Sequence, residues 1–277
     1  MTVKTNTLPF RYDQVGSLLR SSNLTEAREQ YKTGTITQNQ LINVENNEII
    51  RLIEKQKENG VLAITDGEFR RSWWHFDFLG GLDGVEYYEK DKGLDFHQME
   101  TRKEGIRVIG KIGFTTHPFV QHFEFLKQHA GEAVVKQTIP SPNMLIRRVD
   151  MNDEVYQDKE EFKQDIIVAY QKAIQAFYDA GCRYLQLDDT AWADLFSAED
   201  HEKLRAKGLD PAEELKLMQQ MINESIAKKP EDLTVTMHIC RGNYKSNYFT
   251  SGGYDYASEV IFGGLNVDGL FLEFDDE

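Results

Sequence analysis

The sequence predicts an α/β fold, a TIM-type (β/α)8 barrel, from two observations. A helical stripe, a glycine or proline breaker and a short apolar strand recur in that order down the chain, and strand after strand ends in an acid or a ligand-type residue. Alternating helices and strands give a parallel sheet. Reactive residues gathered at strand C-termini favour a closed barrel over an open doubly wound sheet, which stays the alternative.

Phe10 to Gly16 is the first candidate strand. Leu41, Val44, Ile49, Leu52 and Ile53 then give an approximate helical stripe, Gly60 stops it, and Val61 to Thr65 leads into Asp66-Gly67-Glu68. Residues from about 80 to 105 are rich in Asp, Glu, Lys and Tyr and read as a loop or hairpin inserted on the barrel rim. Ile106 to Ile112 and Val134 to Ile139 are the next strands. Phe162, Ile166, Ala169, Ala173, Phe177 and Ala180 form a better stripe, ended by Gly181, and Tyr184 to Leu187 leads into Asp188-Asp189. Pro211 opens a helix through Leu215, Met218 and Ile222, and Leu233 to Ile239 ends in His238-Ile239-Cys240. Gly269 to Leu272 ends in Glu273. That is roughly seven strands where a closed barrel takes eight. With the sequence stopping at Glu277, the expectation is a single domain over residues 1–277 whose barrel lacks its last strand and helices, with self-association through the open edge.

Composition narrows the function. The 277 residues are 40% hydrophobic and 28% charged, enough for one large core. A net charge of -14 repels a phosphate backbone, and the basic pairs Arg70-Arg71 and Arg147-Arg148 are too short to reverse this, so no nucleic-acid partner is expected. Two cysteines at dissimilar positions make no disulfide framework and fit a reducing cytoplasm or a metal role. Met1 to Pro9 has no apolar core of the signal-peptide kind, and no apolar run is long enough for a membrane span. A cytoplasmic protein is expected.

His238 and Cys240 are two apart on one strand, so an imidazole and a thiol share a face. If the strand ending in Glu273 belongs to the same barrel, His238, Cys240 and Glu273 converge at its C-terminal mouth, where zinc would accept all three. By itself this spacing is read as well by a hydrogen-bonded core histidine beside a buried thiol. A tetrahedral site wants one more ligand, and Cys182 sits at the opposite end of its own strand.

Taken together, Gly16-Ser17, Asp66-Gly67-Glu68 with Arg70-Arg71, Leu187-Asp188, His238-Ile239-Cys240 and Glu273 resemble the zinc-dependent C-terminal barrel of cobalamin-independent methionine synthase, and particularly its shorter single-barrel relatives. The match spans nearly the whole chain. The resemblance implies a zinc-dependent S-methyltransferase of methionine biosynthesis that converts homocysteine, or a related thiol, to the methyl thioether. It implies His238, Cys240 and Glu273 as zinc ligands, with the family's remaining cysteine on a strand beyond this sequence. Glu68 and Asp188 would hold the substrate amino group, and Gly16 and Ser17 its carboxylate.

The methyl donor the resemblance implies is methyltetrahydrofolate, stacked on a tryptophan after the fourth strand and flanked by an arginine near the third. Here those stretches read Thr138-Ile139-Pro140-Ser141-Pro142 and Gly113-Phe114-Thr115-Thr116-His117, with neither feature, so another donor fits equally well. Trp73 and Trp74 offer either an alternative stacking site or a buried aromatic pair. His117, His122 and His129 read as surface or helix histidines. Two other functions stay open: a metal-free barrel lyase or hydrolase using Asp66, Glu68, Asp188 and Asp189 with His238, and an inactive fragment of the methyltransferase.

Overall fold

Short apolar strands followed by capped helices set the architecture. The computed structural model describes residues 7–10, 13–93, 95–96, 99–244 and 247–273. Ser21 caps α1 (Ser22–Lys32), and Thr37 with Gln40 forms a reciprocal capping box on α2 (Gln38–Glu58). After β1 (Ala63–Ile64) come the short α3 (Phe76–Leu79), β2 (Asp83–Glu89), β3 (Asp95–Phe96), β4 (Met99–Glu100), the long β5 (Glu104–Gly113) and α4 (Pro118–Ala130). β6 (Val134–Val135) and β7 (Gln137–Pro140) form one extended path. Pro142 at the first turn of α5 (Pro142–Arg148) stops it, and β8 (Val149–Asp150) follows. α6 (Lys159–Asp179) precedes β9 (Tyr184–Asp189), and α7 (Ala198–Ala206) and α8 (Pro211–Ile226) precede β10 (Thr234–Ile239). A small hairpin of β11 (Asn243–Tyr244) and β12 (Asn247–Tyr248), then α9 (Ser258–Gly263), lead to β13 (Gly269–Leu272).

The parallel strands run in the order β13-β10-β9-β7, and β1 pairs in parallel with β6, where Lys136 N donates to Ile64 O at 2.9 Å. A single parallel bridge, Ser17 to Gly67, joins the N-terminal segment to the far side of β1. The result is a parallel arc backed by helices, with β9 and β10 buried almost throughout. Its main core runs from Phe78 and Phe123 through Ala169, Tyr170 and Phe177 on α6 to Leu185, Leu187, Val235 and Met237.

Two expectations change. Ile106 to Ile112 is a strand, but β5 pairs antiparallel with β2 and in parallel with β8, forming a separate three-stranded sheet instead of a rung of the arc. Alternating apolar residues announce a strand and say nothing about its neighbours. The expected first strand is represented by the Ser17 bridge alone among the described residues, and Arg11 and Tyr12 lie outside them. No helix among the described residues is long and apolar enough to cross a membrane.

Candidate active site

Register places the chemistry in one row. Pro140, Asp188, His238 and Phe271 are successive partners across β7, β9, β10 and β13, so Asp188 and His238 lie side by side near the C-terminal ends of adjacent strands. The backbone pairing continues past the strand ends: Ser141 N donates to Asp188 O at 2.8 Å, Cys240 N to Asp189 O at 2.9 Å and Glu273 N to Ile239 O at 3.3 Å. A cavity of about 370 Å³ opens over this row, and Ser17, Glu68, Asp188, His238 and Cys240 all line it.

Glu68 reaches the cavity from a strained turn. Its φ is 59°, after Gly67 at 66°, and its own N–H donates to Asp66 Oδ1 at 2.9 Å. Arg71 Nη1 donates to Glu68 Oε1 at 2.8 Å and Thr138 Oγ1 donates to the same oxygen at 3.1 Å. Oε2 has no hydrogen bond among the described residues. Burial raises the Glu68 carboxyl against the opposing pull of Arg71.

Asp188 is likewise half-satisfied. Gln186 Nε2 donates to its Oδ1 at 2.7 Å, and complete burial, with the Glu68 charge added, pushes the carboxyl up to about 8. Gln186 accepts at Oε1 from Lys136 Nζ at 3.1 Å, and Lys136 pairs with Asp13 at 2.9 Å and donates to the Gln14 carbonyl. Asp189, by contrast, accepts from Ser141 Oγ at 2.6 Å, Asn143 Nδ2 at 3.0 Å and Ala191 N at 2.6 Å, so it fastens the strand end to the next turns.

The ligand-type residues are oriented from behind. His238 Nδ1 is 3.0 Å from Phe271 O, which makes Nδ1 the protonated nitrogen and leaves Nε2 for the cavity; burial lowers the ring below the usual imidazole range. Cys240 Sγ accepts from Gly242 N at 3.3 Å and Asn243 Nδ2 at 3.4 Å, and burial next to the Glu273 charge pushes its thiol up to about 12. Burial acts to raise Glu273 too, but donors from Arg241 N at 2.7 Å and Asn243 Nδ2 at 3.0 Å outweigh it and hold the carboxylate below its ordinary value. Among the described residues no three His, Cys, Asp or Glu side chains close into a cluster that could hold a metal. The nitrogen, sulfur and carboxylate donors nevertheless match in kind what zinc takes.

Gly16 lies behind this wall at φ 135°, its carbonyl accepting from Thr65 Oγ1 at 2.8 Å. Cys182 is fully buried at the opposite end of β9, its Sγ 3.3 Å from Tyr184 O. His117, read from sequence as a surface or helix histidine, stands at the N-terminus of a helix. It is buried, accepts from Phe119 N at Nδ1 as the cap of α4 and contacts Phe78 O through Nε2 at 3.0 Å. Lys136, Thr138 and Asn243 escaped sequence reading because each acts on a partner distant in sequence, and Gln186 because it links Asp188 to the distant Lys136. Only the polar interruptions of apolar strands at 136, 138 and 186 hinted at them.

The family model for the cobalamin-independent synthase catalytic domain matches residues 11–250. The Bacillus subtilis protein YxjG, itself uncharacterized, is 55% identical over 269 residues, which cover 97% of this chain and 71% of that protein. A crystal structure of a candidate vitamin-B12 independent methionine synthase from Listeria monocytogenes matches with a TM-score of 0.79 and 48% identity over 97% of this chain and 74% of its own. A B12-independent methionine synthase from Shewanella sp. W3-18-1 shares the fold at a TM-score of 0.57 and 17% identity, over 76% of this chain and 56% of its own. The parallel arc is therefore that of the B12-independent methionine synthase catalytic barrel, and the chain belongs to the family of cobalamin-independent synthase catalytic domains, methyltransferases of methionine biosynthesis.

Proposed function

We propose that this protein is a zinc-dependent S-methyltransferase acting on a small amino-acid thiol of the homocysteine class. The observation that carries the reading is a single cavity in which His238 and Cys240 share a wall with Glu68 and Asp188, each acid keeping one oxygen without a hydrogen bond among the described residues.

Glu68 Oε2 and Asp188 Oδ2 suit a substrate ammonium, which would also compensate two buried acids that otherwise repel each other. Ser17, with the backbone at Gly16, suits the substrate carboxylate. His238, Cys240 and Glu273 would hold the metal: the Phe271 carbonyl fixes the His238 tautomer, and Arg241 N and Asn243 orient the Glu273 carboxylate. Zinc, when bound, supplies a thiolate at neutral pH by lowering the pKa of the thiol it binds. The protein's own contribution is orientation, since amino-group anchoring fixes where the substrate sulfur lies. A carbon–sulfur bond then forms as the donor–methyl bond breaks, its electron pair leaving with the donor. Methyltetrahydrofolate is the donor suggested by the family, although Thr138 to Pro142 and Gly113 to His117 carry no stacking tryptophan or flanking arginine. A metal-free lyase reading is weakened by Asp189, whose oxygens are occupied by Ser141, Asn143 and Ala191.

The test is elemental analysis of purified protein alongside intact mass, for the wild type and Cys240→Ser, followed by a homocysteine methylation assay. Near-stoichiometric zinc that disappears in the variant is expected. A folded wild-type protein that takes up no zinc from excess metal overturns the metal assignment.

A further inference from the structure

The same cavity has a second polar wall that the thiol chemistry does not use. His75, at the start of α3, is 3% exposed and lines the cavity, yet neither ring nitrogen has a hydrogen-bond partner. Its ring is held by aromatic contacts instead, with centroids 4.6 Å from Trp74, 4.1 Å from Phe76 and 5.6 Å from Trp73. An imidazole removed from water with both nitrogens idle carries an uncompensated desolvation penalty, and so is built for something that arrives.

Arg148, at the end of α5, lines the cavity as well. Its Nε has no partner, and its guanidinium makes no hydrogen bond or ion pair among the described residues, only a cation–π contact 6.0 Å from the Phe249 ring centroid. The acids around it are committed elsewhere. Asp194 pairs with Arg147 at 3.7 Å, and the Asp189 oxygens are filled by Ser141, Asn143 and Ala191. The other two cavity arginines are spent, Arg102 on Ser72 and Glu104 and Arg20 on the Glu68 and Arg71 carbonyls. In a chain with a net charge of -14, a partly buried arginine without a counterion is an unfilled anion site.

We propose that His75 and Arg148 form an oxyanion subsite that docks the carboxylate or phosphate of a second reactant, whose apolar body lies along Trp74 and Phe249. Arg148 supplies the charge and a fork of donors, and the neutral His75 ring supplies one N–H. Within the methyl-transfer reading this reactant is the methyl donor, and only that identification rests on the reading. Anion docking itself needs no metal.

The experiment is calorimetric titration of the protein with benzoate and, separately, phenyl phosphate, with benzyl alcohol and benzylamine as uncharged and cationic controls. Saturable binding of at least one anion and neither control is expected, weakened about tenfold or more in Arg148→Gln. Arg148→Lys should fall between the two, and His75→Phe, which keeps the aromatic packing, should weaken binding without lowering the melting temperature. Benzoate alone identifies a carboxylate-bearing reactant and phenyl phosphate alone a phosphate-bearing one. The proposal is overturned if neither anion binds, if benzyl alcohol binds as well, or if folded His75→Phe and Arg148→Lys bind like the wild type. Zinc loss in Cys240→Ser leaves the anion titration unaffected, so failure of the methyltransferase reading is separable from failure of this one.

Discussion

Thr138 occupies the space that a side chain on Gly16 would need: a Cβ there would lie 2.6 Å from Thr138 Cγ2, while the Thr138 hydroxyl donates to Glu68. The N-terminal segment, β7 and a cavity-facing acid are thereby locked together. Gly16→Ala also forces a side chain onto φ 135°. Together these should destabilise the protein by roughly 1–3 kcal/mol and displace Glu68. Chemical denaturation measures the first effect, and amino-acid thiol affinity the second.

Asp188→Asn keeps a group that can accept from Gln186 and removes the negative charge. We expect amino-acid thiol binding to weaken by roughly 10- to 100-fold, the value of a charge-assisted hydrogen bond of about 1.5–3 kcal/mol. The melting temperature at pH 8 should not fall, because the neutral amide carries no buried charge. Unchanged thiol affinity by calorimetry would remove Asp188 from the substrate contact.

Lys136 and Asp13 form an ion pair with side chains 0% and 2% exposed. Lys136→Met leaves Asp13 buried beside Tyr184 without its cation and should cost about 3–5 kcal/mol. The double variant with Asp13→Asn should recover most of that loss in urea titrations. Equal instability of the single and double variants would mean that Lys136 acts mainly through Gln186 instead.

Burial pushes His117 down to about 4. The unfolded chain binds a proton there below about pH 6.5 while the folded protein refuses it until about pH 4, so stability falls as pH drops through that window, by at most about 1.4 kcal/mol per pH unit. His117→Asn retains an oxygen that can cap α4 at Phe119 N and removes the titration. Its unfolding free energy should therefore decline less steeply than the wild type's between pH 6.5 and 4.5. Parallel curves would show that His117 protonates without penalty.

The helices α2, α6 and α8, the strands at Val61 to Thr65, Tyr184 to Leu187 and Leu233 to Ile239, and the residues ending them were legible because they depend on local signals: apolar period, caps, breakers and spacing. Same-face spacing brought His238 and Cys240 together, and the order of motifs carried the family. What folding added depends on pairing between distant segments. Only strand register decided that Asp188 stands beside His238 and that β5 leaves the arc to join β2 and β8. Packing is what occupies both Asp189 oxygens while leaving Asp188 one to spare, and what brings His75 and Arg148 to the cavity without hydrogen-bond partners among the described residues. A sequence fixes the local preferences of each segment. Which polar atoms remain unsatisfied once the segments close on one another is settled by the tertiary structure, because a hydrogen bond needs its partner in space and not in sequence.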